Sequence, residues 1–217
     1  MRRGWRDSGQ AFPTYIAVIA GLLFLAFAYF AVGQAAVLRN GAQTAADAAA
    51  LGAAQEARDQ LREGWLGVIG DSSQWPLFVD GGANVDNGLA CQRAADLAAS
   101  NDAVVDDCLA ATLRFSVAVR SKGTVGESIV PDTEAQQAVA TATAVIEPQC
   151  SFDAPEPTEE PTEEPTEEPT ATPSAEPEPE PILGLVCDGE ALAIDPEDPL
   201  LPSAGDLFHV RLTGDHE

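Results

Sequence analysis

The sequence predicts an α+β protein: a long N-terminal membrane helix that continues into an outer domain with a small antiparallel sheet, broken by an acidic, Pro-rich disordered insertion. Three observations carry this. From Phe12 to Leu38 no side chain is ionisable except tyrosine. An alanine-rich segment of helical spacing follows at once, and segments of strand-like alternation come only after it. The repeat PTEE then interrupts those strands between positions 153 and 181.

The apolar stretch comes first. About 20 helical residues cross a hydrocarbon core of roughly 30 Å, so Phe12 to Leu38 is long enough to span with some tilt. Arg2, Arg3 and Arg6 precede it, which favours a cytoplasmic N-terminus and places everything after Leu38 outside the cell membrane. Tyr15 and Tyr29 fall near its two ends, where aromatic anchors belong. A cleaved secretory signal would have an apolar region of roughly 7 to 15 residues before a small-residue site. Here the run is longer, so a single uncleaved span is the expectation. Pro13 sits in the first helical turn, where its missing N–H does no harm.

In "AQTAADAAALGAAQEARDQLRE" Ala42, Ala46, Ala50 and Ala54 form one row at helical spacing, and Ala45, Ala49, Ala53 and Ala57 form the next. Gln43, Asp47, Asp59 and Arg62 gather on the opposite side. This is an amphipathic helix whose packing face is small. One continuous helix from about Phe12 to about Glu63 would be roughly 75 Å long, half of it in the membrane.

The stretch "RDSGQAFPTYIAVIAGLLFLAFAYFAVGQAAVLRNGAQTAADAAALGAAQEA" resembles the start of the TadE/TadG-like proteins of the tight-adherence (Flp) pilus assembly system, especially short actinobacterial TadG-related members. The ending "DPEDPLLPSAGDLFHVRLTG" also looks like the tail of those members. The resemblance implies a pilin-like domain on a membrane helix, with the bilayer and other pilus-assembly or pilin-like membrane proteins as partners. It also implies a candidate leader cut between Gly9 and Gln10. Prepilin-type leaders typically carry Glu at the fifth mature position, and Thr14 stands there instead. That departure leaves both processing and entry into a filament open.

Four cysteines, Cys91, Cys108, Cys150 and Cys187, all follow the apolar stretch, with no CxxC pair among them. An even count on the outer side of a membrane favours disulfides over zinc. Pairing Cys91 with Cys108 and Cys150 with Cys187 is favoured among three connectivities, because each bridge then joins the ends of one local segment. "CQRAADLAASNDAVVDDC" reads as a helix from about Gln92 to Ala99 stapled to a loop. In "LRFSVAVRS", Leu113, Phe115, Val117 and Val119 alternate with polar residues, so this is a half-buried strand. "QAVATATAVIE" is a second strand, whose Ala138, Ala140, Ala142 and Ala144 suit close approach to a helix.

From 153 to 181 the chain has too few apolar residues for a core, and its prolines and like charges favour extended, disordered conformations. Beyond it, Leu185, Val186 and Ile194, then Phe208, Val210 and Leu212, need burial, so the last strands should complete the sheet begun at Leu113. The organisation is therefore 1–9 basic leader, 10–38 membrane helix, 39–152 outer α+β domain, 153–181 acidic linker and 182–217 returning strands.

A formal net charge of -24 makes nucleic acid a poor partner. The two histidines, His209 and His216, stand near the end, and no phosphate loop, catalytic constellation, cofactor motif or small-molecule site is recognisable. "DSSQW" lacks the second serine of a D-x-S-x-S metal-adhesion motif, and "DGGANVDNG" has Gly82 where a calcium loop needs a ligand. No metal and no enzymatic activity are expected. Two roles remain: a component of a pilus assembly or secretion system that acts through helix packing, or a single-pass surface protein whose outer domain binds a ligand or spaces the envelope. For the first, Ala17, Gly21, Ala42, Ala46, Ala49 and Ala53 are the expected contacts with other membrane helices.

Overall fold

The computed structural model describes residues 11–126, 134–153, 181–195 and 201–214. One helix, α1 (Ala11–Gly67), dominates it. From Phe12 to Gly41 its side chains are exposed or at most half-buried. This part is long and apolar enough to cross a membrane. From Ala42 onward both predicted alanine rows are buried, all eight residues at 0–1% exposure. Each methyl contributes only about 0.8 kcal/mol on burial. The small face matters instead for how closely it lets other elements approach the helix axis.

The covering elements are α3 (Asn87–Ser100) and a four-stranded sheet of order β1-β2-β3-β7. β1 (Ala103–Ala111), β2 (Arg114–Ser121), β3 (Val139–Pro148) and β7 (Phe208–Thr213) pair antiparallel throughout. The alternation read from β2 holds, with Phe115, Val117 and Val119 buried against α1. On β3, which packs on α1, Ala142, Ala144 and Ile146 face the core. α3 is longer than the sequence suggests. It begins at Asn87 because Asp86 caps it, its Oδ1 accepting from Gly88 N at 2.8 Å and Leu89 N at 3.2 Å. The "DGGANVDNG" stretch thus turns at Asp80 and Gly81 and only its last residues open the helix.

Beyond α1 the chain turns through a short 3₁₀ segment, Ser72–Gln74, into α2 (Trp75–Val79). Trp65 and Trp75 are fully buried with ring centroids 5.3 Å apart at 71°, and the Phe152 ring lies 5.0 Å from Trp75, tilted at 57°. These large rings fill the end of the domain, where the alanine face gives out. Neither indole Nε1 has a hydrogen-bond partner among the described residues.

The C-terminal strands divide their roles, which corrects the expectation that all of them complete the first sheet. β7 does, along the free edge of β3. With that edge taken, β5 (Ile182–Cys187) and β6 (Glu190–Ile194) join β4 (Cys150–Phe152) in a separate three-stranded sheet. A short helix, α4 (Ala204–Leu207), leads into β7. It opens with a capping box in which the Ser203 hydroxyl accepts from Asp206 N and the Asp206 carboxylate accepts from Ser203 N. The Arg62 guanidinium of α1 donates to the Pro202 carbonyl at 2.7 Å, which ties this return to the central helix.

Candidate functional site

The predicted packing residues divide between two environments. Ala17 and Gly21 lie on the uncovered half of α1, and a Cβ placed on Gly21 would meet nothing within 4 Å. Ala42, Ala46, Ala49 and Ala53 lie inside the domain, at 0–1% exposure beneath α3 and the sheet. Assigning those four to contacts with other membrane helices is therefore corrected: they make intrachain contacts. The physical cause is that a small face attracts whichever element is nearest, and here the chain's own α3, β2 and β3 return to it. Bulk added at Ala46 or Ala49 acts first on folding.

Both cysteine pairs are as favoured from the sequence. Cys91 and Cys108 are bonded with Cα atoms 6.0 Å apart, and Cys150 and Cys187 with Cα atoms 4.0 Å apart. The first bridge staples α3 to strand β1, not to a loop, since Cys108 pairs in register with Val117 of β2. The second joins directly paired residues of β4 and β5. It lies at the base of the acidic insertion, whose entry Asp153 donates its N–H to the Gly184 carbonyl at 2.9 Å. The residues that flank 154–180 are thus joined on adjacent strands. The segment itself, the leader with Gly9 and Gln10, and His216 lie outside the described residues.

Polar groups that resembled fragments of binding motifs serve the fold. The Asp71 carboxylate accepts from Ser73 Oγ at 2.6 Å, Gln74 Nε2 at 2.7 Å and Ser73 N at 3.2 Å. The Ser73 hydroxyl above all, then the Gln74 amide, hold it below the usual carboxylate range. The Arg211 guanidinium does the same for Glu147 across β3 and β7, with Nε donating to Oε1 at 2.9 Å. A similar pair, Arg120 with Asp106, spans β2 and β1 at the bulge between Val105 and Asp107. His209 points outward on β7. Among the described residues no three His, Cys, Asp or Glu side chains gather as a metal site.

These residues define a class: a helix, apolar and uncovered over its first half, that carries a disulfide-bonded α+β domain on its second. Residues 9–56 match the family described as putative Flp pilus-assembly TadE/G-like. The match begins just before the described start of α1, includes the whole uncovered stretch and ends within the buried alanine rows, so it takes in less than a quarter of the chain. Compared with curated proteins and with solved structures, the chain finds no match.

Sequence reasoning missed several structural residues. Trp65 continues the row of Ala57 and Leu61 at helical spacing, a signal that carries the helix past the expected end near Glu63, and Trp75 has no such local signal. Asp188-Gly189, a two-residue turn signal between Cys187 and Glu190, marks the β5–β6 hairpin, with both residues at positive φ. Arg62 was assigned to a solvated stripe, and nothing local announces its carbonyl partner 140 residues away.

Proposed function

We propose that the protein is a single-pass component of a Flp-type pilus assembly or secretion system, with its N-terminus cytoplasmic and its disulfide-bonded domain outside. The carrying observation is that the TadE/G-like match coincides with the uncovered span and runs on into the buried face of the same helix. Anchor and domain core are one continuous element, so a displacement of the span within an assembly is transmitted rigidly to the outer domain. Of the six expected contacts, Ala17 and Gly21 remain on the uncovered half for close approach of neighbouring helices. The ending of the chain supports a TadG-related type. The role is one of packing and assembly, without catalysis.

The test is deletion of the gene in its native host, with complementation by the full chain and by a chain carrying Leu at both Ala17 and Gly21. Loss of pili or of the secreted product on deletion, restored by the full chain but not by the double variant, is the expected result. Unchanged pili and secretion after deletion would favour the surface-protein role. Intact mass of the native protein then separates a chain that starts at Gln10 from one that keeps its arginines.

A further inference from the structure

We draw no further inference here: the strongest candidate, the open cavity of about 600 Å³ between the β5–β6 hairpin and the return through α4 into β7, is walled by the exposed carboxylates of Asp188, Glu190 and Asp206, an acidic cluster in which Asp206 already serves the capping box and which no buried, unpartnered side chain among the described residues lines to show what it would hold.

Discussion

Gly184 lies so close to Asp153 that a Cβ on the glycine would stand 2.2 Å from the Asp153 carbonyl oxygen, and its φ of +108° is one that side-chain-bearing residues rarely adopt. Asp153, next after β4, and Gly184 of β5 flank the acidic insertion, so this contact is the clasp of a loop. Gly184→Ala meets backbone, which cannot swing aside, and also strains φ. A loss of about 2–4 kcal/mol is expected, visible as a lower thermal midpoint of the full chain in detergent. An unchanged midpoint would mean that the second sheet contributes little to global stability.

The same clasp makes the insertion dispensable for folding. Asp153 and Gly184 are hydrogen-bonded, and Cys150 and Cys187 are covalently joined, on the domain side of it. Replacing 154–180 by a short Gly/Ser turn should leave the thermal midpoint unchanged or slightly raised, because closure entropy falls as a loop shortens. Mass mapping of both disulfides in the shortened chain checks it; scrambled pairing would show that the insertion guides the fold.

Overpacking the alanine face should cost far more than changing its polar side. Ala49→Leu forces a larger side chain between α1 and its cover, for which about 1–3 kcal/mol of destabilisation is expected. Gln43→Leu, on the exposed side, should change stability by less than about 0.5 kcal/mol. Thermal unfolding of both variants decides, and equal effects would contradict intrachain burial of the alanine rows.

Loss of a disulfide should scale with the loop it closes. The bridges span separations of 17 and 37 residues. The chain-entropy relation gives about 3 kcal/mol for the first and about 4 kcal/mol for the second. Paired Cys→Ser variants, compared by denaturant unfolding, measure this ordering.

Acid should weaken the return of the chain to α1. The Asp206 carboxylate is held below its ordinary value of 3.8, first by the Ser203 hydroxyl and then by the Ser203 backbone N–H. A depressed carboxylate contributes stability that is fully present above its unfolded value and is lost as pH falls through the folded one. Its share therefore disappears below 3.8, and Glu147 beside Arg211 behaves in the same direction. Asp206→Asn should be less stable than the parent near pH 7 and should show a smaller drop in midpoint between about pH 5 and about pH 2.5. A parallel drop in both proteins would remove the capping box from the acid response.

Sequence alone determined what depends on local period and local composition. The uncharged run to Leu38, the alanine rows to Ala57 and the alternation of Phe115, Val117 and Val119 each encode an element and its buried face, since both periods are properties of the backbone itself. Cysteine pairing was legible because each bridge closes a local segment. What the tertiary structure decided is which surface meets which. Ala42, Ala46, Ala49 and Ala53 face the chain's own α3 and sheet, while Ala17 and Gly21 remain uncovered, although all six are small residues on one helix. β7 claims the edge of β3, and β5 is left to pair with β4. Arg62 meets Pro202 only because the last segment folds back to α1. A small or apolar face specifies that it will be covered, and only the closed chain specifies by what, because burial is non-directional and the choice among partners depends on connections far away in sequence.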